Sequence, residues 1–271
     1  MEKKRSDDEL LKMRMGKVKH KIAVISGKGG VGKTLVTVNL AATLAHEKGA
    51  GKVGLLDADI HGPCVPKMLG LKGSKLESGL PGIFPVYSEG GIKVVSMAFL
   101  LPNDDSPIIW RGPIKMGAIK QLLSEVAWGE LDYLLVDLPP GTGDEPLTVL
   151  QLLPETDGVV IVTIPSEVSG DVVRKAVTFA RMLNVPILGI VENMAGLVCP
   201  HCGEAIEVFM GGVGRRVAKD MGVPFLGSIP LDPGISGDSD CGKPFIEEHS
   251  DSAAAKAFRE IVKKIIEVVE K

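Results

Sequence analysis

One motif in the chain has the residue types and spacing of a phosphate-binding loop. Residues 27–34 read GKGGVGKT, between an apolar segment and the helical sequence TLVTVNLAATLAHEKG. Glycines leave the backbone N–H groups of such a loop free to surround phosphate oxygens at the positive end of a helix. We expect Lys33 to reach the β- and γ-phosphates and the Thr34 hydroxyl to ligate Mg²⁺. The predicted nucleotide-binding residues of the loop are Gly27, Lys28, Gly29, Gly30, Val31, Gly32, Lys33 and Thr34.

Aspartates at the ends of two apolar segments are candidates for the metal site. Asp137 ends YLLVD, Asp57 ends KVGLLD, and Asp59 follows two residues later. Residues two apart in an extended chain point the same way, so Asp57 and Asp59 are both expected to face the phosphates. Asp57 and Asp137 are therefore predicted to bind Mg²⁺ together with Thr34. Asp144, the last residue of the loop PPGTGD, is expected to cap a helix instead.

A C-x-x-C pair, Cys199 and Cys202, lies in GLVCPHCGEA, and no second pair follows it. A tetrahedral zinc site or an iron–sulfur cluster usually takes four protein ligands, so the chain supplies half a set. An iron–sulfur cluster, a shared zinc ion and a surface pair or transient disulfide all remain open. His201, between the two cysteines, is expected to be solvated. Cys64 and Cys241 are isolated in sequence and are expected to pack as small apolar side chains.

The elements that must position these residues follow an alternating pattern. Apolar runs rich in Val and Ile predict strands at 21–26, 52–57, 133–138, 158–164, 186–193 and 224–229, with a weaker one at 92–99. Helical periodicity predicts helices at 34–48, 112–127, 168–183 and 251–269, and residues 70–91 predict a loop. Strands this apolar on both faces belong in a parallel sheet covered by helices on each side. The sequence thus predicts an α/β fold of the P-loop NTPase type, with a mostly parallel central sheet. We expect a charged N-terminal extension (1–19) and one domain (20–271) with the C-x-x-C loop at 196–205.

Composition narrows the classes of partner. The chain has 271 residues, of which 45% are hydrophobic and 24% charged, with a net charge of −3. It therefore has no overall positive field to attract nucleic acid or anionic lipid, and neither is an expected partner. Only four cysteines occur, so a secreted disulfide framework is not expected. The longest apolar stretch, GVVIVTIP, is too short to span a bilayer, and we expect a cytoplasmic protein.

Several motifs together carry a family resemblance. Lys28, a second lysine inside the phosphate loop, is the mark of the deviant Walker A class of dimeric ATPases, which includes MinD, ParA and the nitrogenase iron protein. Within that class, SGKGGVGKT, LLDADIHGP, LLVDLPPGTGD, VENMAG and a late CPHC resemble the Mrp-type, or ApbC-like, iron–sulfur cluster carrier ATPases. The resemblance covers nearly the whole chain from residue 20, with the motifs in the family's order.

The resemblance implies a function and roles for residues. It implies an ATPase that assembles a labile cluster at a homodimer interface and transfers it to apo-proteins, with ATP and Mg²⁺ as cofactors. Lys28 would reach the partner's nucleotide, acting with Lys33 in catalysis, while Asp59 would orient or activate the attacking water. Asn193 would contact adenine, although an Asn that only caps a loop is the alternative. The two C-x-x-C pairs of a dimer would supply four thiolates, for a 4Fe–4S cluster or for zinc.

Two other classes of protein stay open as alternatives. The first is a MinD- or ParA-like positioning ATPase with a structural zinc ion at the cysteine pair. The acidic balance of the chain disfavours it, as does the final helix, whose polar face mixes glutamate with lysine. The second is a reductase component similar to the nitrogenase iron protein. Its group uses two separated cysteines per chain, unlike the single C-x-x-C found here.

Overall fold

The structure is a computed structural model that describes residues 7–101, 112–199, 202, 204–206, 208 and 211–271. The helices are α1 Asp7–Met15, α2 Lys33–Lys48, α3 Val65–Met68, α4 Gly112–Glu125, α5 Asp144–Leu152, α6 Glu167–Met182, α7 Val213–Met221, α8 Pro233–Cys241, α9 Phe245–Glu248 and α10 Ala253–Val269. The strands are β1 Val18–Ser26, β2 Val53–Asp57, β3 Glu77–Gly79, β4 Gly82–Phe84, β5 Val86–Tyr87, β6 Lys93–Ser96, β7 Leu131–Asp137, β8 Gly158–Thr163, β9 Ile187–Val198, β10 Ala205–Ile206 and β11 Phe225–Leu231.

A mostly parallel sheet forms the centre of the molecule. Its strand order in the described chain is β10-β9-β8-β1-β7-β2-β6-β5, and β11 also pairs with β9. Only β5 and β10 run antiparallel to their neighbours. In the parallel register Asp57 lies beside Asp137, and Asp137 lies beside Val24 near the end of β1. Both carboxylates therefore reach the same edge of the sheet as the phosphate loop.

Helices cover both faces of this sheet, as the apolar strands predicted. Every residue of β2 and β8 is buried. Helices α2, α3, α8, α9 and α10 contribute to the core on one face, and α1, α4, α5, α6 and α7 contribute to the core on the other. The predicted α/β fold is confirmed. The last helix packs against β11 and α2 and buries Phe258 and Ile261.

The N-terminal region is packed on the domain from residue 7 onward. Leu11 and Met15 of α1 are buried in the same core cluster as α4, and β1 already begins at Val18. The predicted boundary at residue 20 therefore falls inside the first strand. The alternating charges of this segment predict a charged extension. Leu11 and Met15 are nevertheless four residues apart, so they lie on one face of α1, and that face packs on the core.

Two further segments differ from the sequence-based expectation. The stretch 70–91, predicted as a loop, contains the β3–β4 hairpin and β5. Asp144 is the first residue of α5, but Gly143 occupies the capping position, so the capping role predicted for Asp144 is wrong. An acidic residue in the first turn still favours the helix because it faces the positive end of the dipole. Across the described ranges, no helix has the length and apolar character needed to cross a membrane.

Candidate nucleotide site and cysteine hairpin

The glycine loop connects the end of β1 to the start of α2. Gly30 and Gly32 have φ angles of 79° and 78°, in the left-handed region that favours glycine. A Cβ atom at Gly32 would lie 2.3 Å from Nδ2 of Asn193, so this position also requires glycine for space. At Gly30 a Cβ would meet no atom within 4 Å. The outer side of the loop is thus open to a ligand.

Lys33, the first residue of α2, lies where two strand-end carboxylates meet. Its side chain is 6% exposed, and its Nζ atom is 2.6 Å from Oδ2 of Asp137 and 4.0 Å from Oδ2 of Asp59. The Thr34 hydroxyl donates to the same Asp137 oxygen at 2.6 Å. The ammonium, hydroxyl and carboxylate groups predicted to hold phosphate and Mg²⁺ are therefore in mutual contact.

A residue that the motif did not identify completes the surroundings of Asp137. The Thr37 hydroxyl donates to Oδ1 of Asp137 at 2.8 Å and to the backbone oxygen of Lys33 at 2.9 Å. Thr37 lies one helical turn after Lys33, hence on the same face of α2. That spacing was a usable signal, because a polar side chain there must point toward the strand ends.

Asp57 organises the loop that follows β2. Its Oδ1 accepts the backbone N–H of Asp59 at 3.2 Å, and its Oδ2 accepts the Ser96 hydroxyl at 2.9 Å and the Val65 N–H at 3.3 Å. Burial, together with the charge of Asp137, raises the pKa of Asp57 to about 8. Both oxygens thus already hold the loop in place, a role that the sequence did not reveal for Asp57 or Ser96.

Asp59 is oriented by its own loop. Its Oδ1 accepts the backbone N–H groups of His61 and Gly62, both at 3.2 Å, and the residue is 8% exposed. With Oδ1 held in this way, Oδ2 is the oxygen on the Lys33 side. The carboxylate is therefore fixed close to the expected phosphate position.

The donor set fits a magnesium nucleotide. Hard cations such as Mg²⁺ prefer carboxylate and hydroxyl oxygens, and Asp137 and Thr34 present these beside the one ammonium group of Lys33. Lys28 is not part of this cluster. Its side chain is partly exposed, and among the described residues its ammonium group has no hydrogen-bond or ion-pair partner.

Asn193 lies beneath the phosphate loop. It is 3% exposed, and its Nδ2 donates to the backbone oxygen of Val31 at 3.0 Å. This contact links β9 directly to the loop, and contact of Asn193 with adenine stays a prediction. Its neighbour Glu192, also buried, accepts the N–H of Gly214 at 2.6 Å at the start of α7, a contact that the sequence did not predict.

The cysteine pair lies on a hairpin at the edge of the sheet. β9 extends beyond β8, and its last residues pair with β10 through Leu197↔Ile206. The Cys199 N–H donates to the Glu204 oxygen at 2.9 Å, which closes the turn, and Cys202 is exposed within it. His201 lies outside the described residues. In the part of the chain with described coordinates, no three His, Cys, Asp or Glu side chains form a group able to hold a metal.

The remaining two cysteines are both exposed. Cys64 precedes α3 and Cys241 ends α8. The expectation that they pack as small apolar side chains is therefore wrong. Each lies at a helix terminus, where the chain turns out toward solvent, and the sequence offered no pattern that distinguishes such a position from the core.

A glycine loop between a parallel strand and a helix, with carboxylates at the ends of adjacent strands, defines a P-loop NTPase. Solved structures share this architecture. A nucleotide-binding protein from Archaeoglobus fulgidus in complex with ADP, with Co found in it, is 44% identical with a TM-score of 0.78, over 89% of this chain and 93% of that one. The cell division ATPase MinD of Pyrococcus furiosus shares the fold at 22% identity, with a TM-score of 0.64 over 92% of this chain and 99% of that one.

The chain belongs to the ParA family of NUBPL iron-transfer P-loop NTPases, which it matches over residues 17–266. The predicted family resemblance is thereby confirmed. An iron-sulfur cluster carrier protein of Methanocaldococcus jannaschii is 53% identical over 263 residues, which cover 97% of this chain and 89% of that protein. An iron-sulfur cluster carrier protein of Saccharolobus solfataricus is also 53% identical over 263 residues, covering 97% and 88%.

Proposed function

We propose that this protein is an ATP-hydrolysing carrier of iron–sulfur clusters. Two copies of the chain hold one labile cluster, which is the cargo, and deliver it to apo-proteins. Family membership and the carrier names of relatives at 53% identity support the cargo. The observation that carries the proposal is the location of Cys199 and the exposed Cys202 in the turn that follows β9, a strand that also contacts the phosphate loop through Asn193.

The nucleotide half of the proposal rests on the loop and its carboxylates. Lys33 exchanges Asp137 for the β- and γ-phosphates, because the phosphates bring more negative charge to the same ammonium group. Asp137 and Thr34 then hold Mg²⁺, which neutralises charge on the phosphate oxygens when bound. Asp57, through the contacts at both of its oxygens, keeps the following loop in position and lies beside Asp137 as a further candidate ligand.

Hydrolysis is assigned to Asp59 and Lys28. The oxygen of a water molecule attacks the γ-phosphorus, the bond to the β-phosphate oxygen breaks, and ADP and inorganic phosphate leave. Asp59 accepts a hydrogen bond from that water through Oδ2 and so orients it. Lys28 extends from the loop and contacts the nucleotide of the partner copy, where its charge stabilises the leaving phosphate oxygens.

The cluster half rests on ligand number and accessibility. Two thiolates per chain become four when two hairpins meet at a twofold axis, which completes the ligand set of a 4Fe–4S cluster. A carrier must release its cargo, and ligands at an exposed tip permit an acceptor to approach. Since β9 contacts the phosphate loop through Asn193 and ends in the hairpin, the nucleotide state can act on the geometry of the two cysteine pairs.

The test is cluster transfer to an apo acceptor. Protein reconstituted anaerobically with iron and sulfide is mixed with an apo iron–sulfur enzyme, with and without MgATP, and the acceptor's activity is followed. We expect transfer, faster with MgATP than with no nucleotide. Protein that takes up only zinc under the same conditions and transfers nothing would contradict the carrier function and would support a positioning ATPase with a structural zinc ion.

A further inference from the structure

Three charged or titratable side chains meet beside the Asp59 loop. The Lys115 Nζ atom lies 2.7 Å from Oε1 of Glu145 and 2.9 Å from Nε2 of His61. Nε2 of His61 is also 3.1 Å from Oε1 of Glu145. An unprotonated Nε2 accepts from Lys115, whereas a protonated Nε2 donates to Glu145. His61 is thus held in the cluster in either tautomer.

The three residues come from three elements that the nucleotide site depends on. His61 follows Asp59 by two residues, and its backbone N–H donates to Oδ1 of Asp59. Glu145 is in the first turn of α5, directly after the loop 138–143 that follows Asp137. Lys115 is on α4. The cluster therefore joins the loop that carries Asp59 to the loop that follows Asp137.

Burial distinguishes this cluster from an ordinary surface ion pair. Lys115 is 8% exposed, and a buried ammonium group needs charged or polar partners. Burial alone would raise the pKa of Glu145, but hydrogen bonds from Lys115 and His61 outweigh it and lower that pKa. Exposed ion pairs contribute about 0–1 kcal/mol, whereas removing one partner from a buried contact leaves the other unsatisfied. Lys115 is thus held by contacts with His61 on the Asp59 loop and with Glu145 after the 138–143 loop.

We propose that Lys115 is a positioning residue for hydrolysis, which holds the Asp59 carboxylate in place by clamping His61 to Glu145. The chain of contacts runs from Lys115 to the His61 ring, and from the His61 backbone to the carboxylate oxygen. A displacement of the attacking water by one ångström costs about 100-fold in rate. Among the described residues, the clamp contacts no group predicted to bind nucleotide, so it acts on turnover rather than on affinity. This inference rests on the proposed hydrolysis.

The test compares Lys115→Met with Lys120→Met. Both substitutions remove a lysine from α4, but Lys120 pairs only with the exposed Asp8 among the described residues. We expect Lys115→Met to lower kcat for ATP at least about tenfold with KM changed less than about twofold, as misplacement of a reacting group requires. Lys120→Met should match the wild type. Lys115→Arg, which keeps the charge and the donors, should recover most of the rate.

Hydrogen exchange in the nucleotide-free protein supplies a readout that needs no turnover. We expect Lys115→Met to speed amide exchange at residues 58–64 and 139–146 and to leave the rest of the domain unchanged. If the wild type hydrolyses no ATP, the proposed function loses its hydrolysis step, while the exchange result still decides whether Lys115 couples the loops. Unchanged kcat, or faster exchange spread over the whole domain, would overturn the positioning role.

A second variant keeps the test decisive if Lys115→Met does not fold. The His61 side chain is 58% exposed, so His61→Ala removes the clamp with little loss of packing. We expect the same fall in kcat at constant KM. In the double variant with Lys115→Arg, the arginine should no longer restore the rate, because its partner on the Asp59 loop is missing. Restoration in that double variant would contradict the proposed chain of contacts.

Discussion

The phosphate loop lies at the ends of central strands of the sheet, whereas the cysteine hairpin lies at one end of the strand order. Lys33, Thr34 and Asp137 meet at the ends of central strands, where every group contacts another and Asp137 is fully buried. Cys199 and Cys202 lie in the turn between β9 and β10, which pair through only two residues each, and Cys202 is exposed. One chain thus brings Lys33, Thr34 and Asp137 of the first site into contact with one another, whereas it contributes two cysteines to the second.

This difference follows from the number of ligand side chains that neighbouring strands bring to each site. Parallel strands bring their carboxyl ends to one edge, so ligands far apart in sequence converge there. The cysteine turn lies past the last paired residues of β9, and among the described residues no three metal-binding side chains meet there. Under the proposed function, the two cysteines of a second copy complete this site, and a cluster held between two copies is open to release. The first site is suited to retention of nucleotide, and the second is suited to exchange.

Cys202→Ser should have the largest effect of these variants, and it should change cluster binding without changing nucleotide binding. We expect complete loss of the reconstituted cluster, because a serine oxygen is a poorer ligand than a thiolate for iron. ATP binding should be unchanged, since the phosphate loop is a separate part of the sheet edge. Iron content, visible absorbance and nucleotide titration measure both properties. Cys241→Ser, which alters another exposed thiol, is the control, and a cluster that persists in Cys202→Ser would break the distinction between the two regions.

Lys33→Ala should affect the phosphate loop alone. We expect ATP affinity to fall about 100-fold or more, as loss of a charge-assisted contact of about 3 kcal/mol implies. Asp137 would also lose its buried counter-ion, which costs about 3–5 kcal/mol of folding free energy. Calorimetric titration measures the first effect and thermal unfolding the second.

The double variant Lys33→Ala with Asp137→Asn separates these two effects. It should recover stability without recovering ATP binding, because Asn leaves no unpaired charge. Cysteine reactivity toward iodoacetamide should stay at the wild-type level in both variants without nucleotide. Full ATP affinity in Lys33→Ala would contradict the role of the loop.

Asp59→Asn should separate binding from turnover within the nucleotide site. Asn keeps an oxygen that can accept the His61 and Gly62 N–H groups, so the loop geometry is retained. The attacking water loses its carboxylate, and we expect kcat to fall about 100-fold with ATP binding within about twofold of the wild type. Steady-state hydrolysis and nucleotide titration test this. Unimpaired turnover would refute the role assigned to Asp59.

Lys28→Ala should have the smallest effect. Lys28 is partly exposed and pairs with none of the described residues, so the fold should be unchanged. We expect hydrolysis to fall about tenfold, the value of one charge-assisted contact near 1.5 kcal/mol, together with weaker ATP-dependent dimerisation. Sedimentation and hydrolysis assays measure the two. Equal values in variant and wild type would show that Lys28 is only a solvated cation of the loop.

Local sequence was sufficient for the central sheet and for the phosphate loop. Continuous apolar runs predicted β1, β2, β7 and β8. The last residues of two of these runs are Asp57 and Asp137, which the structure places at strand ends. The apolar runs and the aspartates at their ends each depend on a few adjacent residues, so they can be predicted without knowledge of the tertiary structure. The P-loop spacing likewise lies within eight residues and includes the turn chemistry of Gly30 and Gly32.

Contacts between distant segments were not predictable in this way. Lys115 and Glu145 are 30 residues apart, and nothing in either local pattern indicates the other. The amide of Asn193, which is predicted to contact adenine, donates to the backbone oxygen of Val31, 162 residues earlier in the chain, and no local pattern indicates that partner. The sequence marks which side chains are polar, but the partner of a buried polar group is decided by which strands and helices the fold brings together.

The iron count of anaerobically reconstituted protein tests the central claim most directly. Native mass spectrometry gives the mass of the assembly and its iron and sulfide content in one measurement. A cluster bridged by Cys199 and Cys202 of two chains predicts about four iron atoms per dimer and none on the monomer. A complete four-iron cluster bound to each monomer, or one retained when both cysteines are replaced by serine, would contradict the bridging site.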